Sequence, residues 1–181
     1  MARWGLVLLL GAAFLLGCTQ EAKLEPRVIM HPNKSIWKKW SIQRTPQGDT
    51  LIQGPYKEFY WDGSPSQSTE YKDGLRQGSS DAWYENGKSK WTKMYDQNKK
   101  VGIWRLYSAN GYPNLEVHFA EGLMDGSLKI WDVTDSTSFV EAQFTKGQCS
   151  GGACNALDSV RNVKGSGADN RRSSLITAFL E

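Results

Sequence analysis

Few residues in this chain have the types and spacing that chemistry needs. Ser35-Ile36-Trp37-Lys38 places a serine three positions before a lysine, the spacing of a nucleophile and its base in one class of acyl-transfer enzyme. The Ser-Asp-Asn and Lys-Thr-Gly elements that complete such sites are missing from the sequence, and a four-residue match alone is close to chance. His118 lies two positions from Glu116 on an expected strand, so the two share a face. With no serine or cysteine nucleophile beside them they read as a surface pair. No Gly-x-x-x-x-Gly-Lys-Ser/Thr loop and no calcium-loop spacing occurs. Cys149 and Cys154 would make half a zinc site, but His31 and His118 are far away in sequence, and zinc is rejected. The expectation is a protein that is not an enzyme and holds no metal or cofactor.

One cysteine does have a chemical fate. Met1-Ala2-Arg3 carries a positive charge, and Trp4 to Leu16 is an unbroken run of apolar residues and glycine. That run is shorter than the roughly 20 residues a membrane-crossing helix needs and matches the core of an export signal. It ends in Leu15-Leu16-Gly17-Cys18, which resembles the bacterial lipobox. The resemblance implies that residues 1–17 are a lipoprotein signal peptide and that Cys18 is lipidated to become the first residue of the mature protein. Several acyl chains at one cysteine anchor stably where one would be marginal. Thr19 follows where an inner-membrane retention signal would have aspartate. In a cell with two membranes this implies the outer one, on its periplasmic or surface face.

Removal of the signal leaves 164 residues, enough for one domain, and takes the formal net charge from +3 to +2. No basic cluster exceeds Lys38-Lys39, Lys99-Lys100 or Arg171-Arg172, so nucleic acid is not an expected partner. Residues 18–34 read as the lipidated cysteine and a tether, because Thr19 to Lys34 holds two prolines and little periodicity. With Cys18 assigned to lipid, Cys149 and Cys154 remain, and in an oxidising compartment they most simply form a disulfide.

The body of the chain is set by a period. Gly54, Gly78, Gly102 and Gly126 recur every 24 residues, each followed five positions later by an aromatic: Phe59, Trp83, Tyr107 and Trp131. Turn pairs follow as Asp62-Gly63, Asn86-Gly87, Asn110-Gly111 and the degenerate Thr134-Asp135. A second run then carries Tyr71, Tyr95, Phe119 and Phe144 and closes at Gly74, Asn98, Gly122 and Gly147. Asn-Gly and Asp-Gly pairs predict type I′ hairpin turns, which need positive φ at both central residues. A lone hairpin is marginal in water, so the units must stack edge to edge. The expected fold is all-β: an elongated antiparallel sheet of stacked hairpins with about eight strands and extra strand at its start.

The domain plan follows from the ends of the array. Residues 35–53 read as a degenerate capping hairpin around the turn Pro46-Gln47-Gly48-Asp49, and 54–151 as four repeats. Ala153 and Ala156 stand where a fifth repeat would place aromatics, so 152–181 is a tail. Asp158 to Ser174 are polar, and Leu175 to Leu180 form a short apolar segment able to dock back.

Gly-x-Trp-x-x-Tyr-x-x-Asn-Gly, as it stands from Gly102 to Gly111, resembles the MORN repeat, and most closely its bacterial antitoxin-type variant. The first copy keeps Tyr-x-x-Phe and Asp-Gly, the second keeps Trp-Tyr-x-Asn-Gly, and the fourth loses its turn pair. The resemblance implies a hairpin array that binds proteins or membrane lipids and has no chemistry of its own.

Within such an array Phe59, Trp83, Tyr107 and Trp131 form one expected ladder, and Tyr56, Trp104 and Leu128 another. Residues of opposite parity cannot all be buried on one face of a sheet. Tyr60, Trp61, Tyr84 and Trp91 are therefore the candidate binding surface. The expected function is a lipid-anchored module of the bacterial cell envelope that presents a protein-interaction surface. The alternatives are an antitoxin- or immunity-like inhibitor of one toxin and a glycan-binding lipoprotein.

Overall fold

The computed structural model describes residues 23–131, 139–151, Cys154 and 179–180. The signal peptide and Cys18 lie outside the described residues, as do most of the tail and the degenerate turn at Thr134-Asp135. Twelve strands form one antiparallel sheet that does not close into a barrel. They are β1 (Leu24–Met30), β2 (Ile36–Arg44), β3 (Thr50–Ile52), β4 (Gly54–Phe59), β5 (Pro65–Lys72) and β6 (Leu75–Trp83). The second half comprises β7 (Ser89–Asp96), β8 (Lys99–Tyr107), β9 (Pro113–Ala120), β10 (Leu123–Trp131), β11 (Phe139–Thr145) and β12 (Gln148–Ser150). Neighbours in the sheet are neighbours in sequence, apart from β3, which pairs with the far half of β2 while β4 pairs with its near half. β3 and β4 are thus one bent strand interrupted at Gln53, whose N–H bonds the Ser41 carbonyl.

The expected tether is shorter than read from sequence. Leu24–Met30 pairs with β2 from Leu24↔Gln43 to Met30↔Ile36 and is the first edge of the sheet. Pro26 is compatible with this because an edge strand does not need every N–H in a ladder. Residues of the expected capping hairpin do pair, β2 with β3, with the Gly48 N–H bonding the Thr45 carbonyl, but β1 lies outside them, so they do not end the sheet.

The two kinds of turn are exchanged relative to the expectation. Asp62-Gly63 and Asn86-Gly87 do not make two-residue type I′ turns. Only the glycines have positive φ, 84° and 76°, and the loop spans three residues. Tyr60 N–H bonds Ser64 O, and Gly63 N–H bonds Tyr60 O. Positive φ at both positions occurs at the other end of each hairpin: Asp73-Gly74, Gln97-Asn98, Glu121-Gly122 and Lys146-Gly147. There Asn98 takes the left-handed place that glycine fills elsewhere, with φ 68°.

The periodic glycines sit inside strands, at bulges. Residues 77–79 around Gly78 oppose Glu70 alone, and residues 125–127 around Gly126 oppose His118 alone. A bulge with positive φ bends and twists its strand, and Gly78, Gly102 and Gly126 have φ of 88°, 66° and 113°.

The pleat sorts the faces. On one, the ladder runs Tyr56↔Thr69↔Ser80↔Lys93 and then Trp104↔Val117↔Leu128↔Ala142. Trp104, Leu115 and Val117 there are fully buried and centre the core. On the other face a polar row crosses from Lys57 through Ser68, Asp81, Thr92, Arg105, Glu116 and Lys129 to Glu141. Arg105 bonds Glu116 at 2.7 Å within it. The core is concentrated in the third and fourth repeats, because in the first and second the buried positions include Thr69 and Ser80, whose hydroxyls bond at 2.8 Å. The two expected aromatic ladders lie on opposite faces for the same reason: Phe59 is three residues from Tyr56, and Tyr107 three from Trp104.

Hairpins are also stitched by side chains. Tyr60 Oη donates to the Trp83 carbonyl and Tyr84 Oη to the Tyr107 carbonyl, both at 2.7 Å. Tyr84→Phe is expected to lower unfolding stability by about 1 kcal/mol, the usual worth of one such bond. Urea denaturation followed by circular dichroism measures it, and an unchanged midpoint would mean that the bond contributes nothing.

Candidate functional site

The sheet begins in an aromatic cluster. The loop from β1 to β2 is closed by His31 N–H to Ser35 O, and Asn33 and Ser35 tie it to the next hairpin by donating to the Trp61 carbonyl. His31 Nε2 lies 3.2 Å from the Phe59 carbonyl, which requires the proton on that nitrogen. Held this way, the imidazole stacks between Trp61, with centroids 4.6 Å apart, and Trp37, at 5.7 Å. Lys38 lies over the Trp37 ring at 4.8 Å and bonds Glu58 at 2.9 Å. The Glu58 hydrogen bond raises the Lys38 pKa.

Exposed apolar side chains are concentrated at this end of the sheet. Leu24, Val28, Ile29, Met30, Ile36, Trp37 and Trp61 are all exposed, and Trp61 most of all at 58%. They are seven of the thirteen large exposed hydrophobic residues described, gathered on β1, β2 and the loop after β4. Strand neighbours such as Val28 and Ile29, or Ile36 and Trp37, project from opposite faces, but a concentration of exposed apolar side chains at one edge is a candidate interaction site. The opposite edge differs: β12 has three residues, and Cys149 and Cys154 close it as a disulfide with Cα atoms 6.0 Å apart.

The four candidate aromatics separate in the structure. Trp61 belongs to the exposed cluster. Tyr60 and Tyr84 are half-buried pins between hairpins, with pKa values raised by burial, so their hydroxyls are not presented to a partner. Trp91 lies on the core face between the ammonium groups of Lys90 and Lys93, at 5.2 and 5.4 Å from its ring. His31 and Trp37 were not singled out from sequence, because only the spatial return of the first loop onto the second hairpin joins them to Trp61.

His118 and Glu116 do share the polar face, 3.8 Å apart, but Glu116 is already bonded to Arg105. No group of three or more potential metal ligands occurs among the described residues. A shallow cleft of about 250 Å³ lies between the turns at Asp73 and Gln97, and Gln77 on its wall donates to Asp96 and accepts from the Gln97 N–H.

The second repeat carries a half-buried cation. Lys93 stands among Trp91, Trp104 and Phe179, its ammonium 4.6 Å from the Trp104 ring and 4.4 Å from Phe179. Burial, with Lys100 and Arg76 adding repulsion, pushes its pKa down to about 8. Between that value and the ordinary 10.5 the unfolded chain holds a proton that the folded protein has released. Stability contributed through this group therefore rises with pH across that window. The thermal midpoint of the native protein is expected to gain on that of Lys93→Met as pH goes from about 8 towards 10. A constant difference between the two proteins would contradict the shift.

No family model matches this chain, and no curated protein matches it.

Proposed function

We propose that this protein is a non-catalytic, lipid-anchored module of the bacterial cell envelope, a MORN-like hairpin array that recognises a protein partner through its first two hairpins. The observation that carries this reading is the apolar cluster around Trp37, His31 and Trp61, flanked by the exposed side chains of β1. Its position supports the reading too. If Cys18 holds lipid, five residues separate it from β1, so this end lies nearest the anchor. β1 also leaves one side of its backbone unpaired among the described strands, which suits strand addition by a partner.

The test is capture from crosslinked native membranes with three versions of the full chain. The native protein is expected to retain one stoichiometric protein. Trp37→Ser/Trp61→Ser is expected to lose it while remaining in the membrane fraction. Cys18→Ser is expected to leave the membrane. Equal capture by the native and double-variant proteins would sink the proposed surface. Retention of peptidoglycan or polysaccharide in place of protein would favour the glycan reading, for which an exposed indole such as Trp61 is a suitable stacking surface.

A further inference from the structure

A sheet one layer thick has to cover its apolar face with something. Among the described residues, part of that cover comes from far away in the sequence. Phe179 is 4% exposed and meets Trp104 edge to face, with ring centroids 5.7 Å apart, and Leu180 packs beside it. The contact is not only apolar. Lys93 Nζ donates to the Phe179 carbonyl at 3.0 Å, and Lys100 Nζ donates to the Leu180 carbonyl. Two consecutive main-chain carbonyls are thus held by two lysines, while the phenyl ring takes the apolar floor.

The cations are out of place for a repeat core. One period before and after Lys93 stand Thr69 and Val117, both buried on the same face. After Lys100 comes Met124, which packs against the core; before it comes Arg76, 4.1 Å over the Tyr95 ring at the groove margin. Packing hairpins together does not call for a lysine at a position filled by valine in the next repeat. Holding the main chain of a segment that comes from outside the array does.

We propose that this groove is a peptide-binding site for an aromatic–aliphatic pair, and that the chain's own C-terminal segment is its resident ligand. Recognition combines a ring slot on Trp104, shared with Lys93, and two ammonium donors for consecutive carbonyls. Because the donors read main chain, a peptide from another protein with the same pair of side chains competes for the site. The site is independent of the exposed cluster at the first hairpins, since its residues lie on β7 and β8.

The test uses the full chain with Phe179→Ser/Leu180→Ser, its fold checked by circular dichroism, and a synthetic peptide of residues 175–181, Leu-Ile-Thr-Ala-Phe-Leu-Glu. Binding is read by tryptophan fluorescence and calorimetry. The variant is expected to bind the peptide one to one and at least tenfold more tightly than the native protein, whose groove is filled. Adding Lys93→Gln and Lys100→Gln is expected to weaken that binding at least tenfold, and a scrambled peptide is expected not to bind. A folded variant that ignores the peptide, or native and variant proteins that bind it equally, would overturn the proposal. Should the variant not fold, a protease site placed between Gly165 and Ser166 of the native chain gives the second measurement. After cleavage the tail fragment is expected to co-elute with the body and to be displaced by excess peptide; a fragment that leaves and does not rebind overturns the proposal.

Discussion

Trp104→Ala is expected to cost about 4 kcal/mol of unfolding stability, within the range for truncating a large aromatic in a core. The side chain is fully buried, and its indole N–H donates to the Met94 carbonyl at 3.0 Å. Its ring touches Tyr95, Phe119 and Phe179, with centroids 5.1, 4.8 and 5.7 Å away. It also faces the ammonium groups of Lys93 and Lys100, at 4.6 and 5.3 Å. Alanine would leave a cavity, remove the indole bond to the Met94 carbonyl, and take one aromatic face from each of Lys93 and Lys100, which would keep only Trp91, Phe179 and Phe119. Urea denaturation measures the loss. Tyr112→Ala, at a loop position that is 57% exposed, is the control and is expected to stay within about 0.5 kcal/mol. A cost below about 1 kcal/mol for Trp104→Ala would show that this face is not packed as described.

The second large effect concerns backbone. Gly126→Ala is expected to destabilise the protein by about 3 kcal/mol, the upper part of the range for a side chain forced into a sparsely populated conformation. Its φ of 113° lies beyond the ordinary left-handed region, and an added Cβ would stand 3.0 Å from the Cβ of His118 across the bulge. That neighbour is fixed to the backbone of β9 and cannot turn aside as a long side-chain end would. Gly54→Ala separates the two causes. It has positive φ, 78°, but no atom within 4 Å of the added carbon, so only the conformational part, about 1 kcal/mol, is expected there. Equal losses at the two positions would mean that the contact with His118 does not matter.

Much of the architecture was legible because it is local. A period of 24 residues, glycine at fixed places and turn pairs between aromatic runs specify hairpins with no knowledge of distant contacts, and β4 to β11 follow them closely. The turn types were not legible. Asp62-Gly63 suits either a two-residue turn or a three-residue loop closed by glycine, and the strand register decides between them. At the opposite turns Gln97 and Lys146 have positive φ with no compositional signal. β1 escaped notice because Pro26 and an unalternating run suit a tether as well as they suit an edge strand. Tyr60 and Tyr84 looked free because the carbonyls they bond belong to the next hairpin, 23 residues on. The cluster at Trp37, His31 and Trp61 depends likewise on contacts between hairpins. Lys93 did leave a trace, since it interrupts a row that reads Thr69 before it and Val117 after it, but only once the face of each residue is known.

The order of strands in the sheet has a consequence for how the molecule comes into being. Each ladder joins segments adjacent in the chain, so a hairpin can set as soon as its own residues and those of the one before it are free. A polypeptide delivered end first, whether from a ribosome or through a membrane pore, could therefore assemble in the direction of its arrival, with no early segment waiting on a late one. The exceptions in the described residues are the bonds from Lys93 to Phe179 and from Lys100 to Leu180, across 86 and 80 positions. They can form only after residues 179 and 180 have emerged. The seating of Phe179 and Leu180 against the second and third repeats would then follow the assembly of the hairpins that receive them.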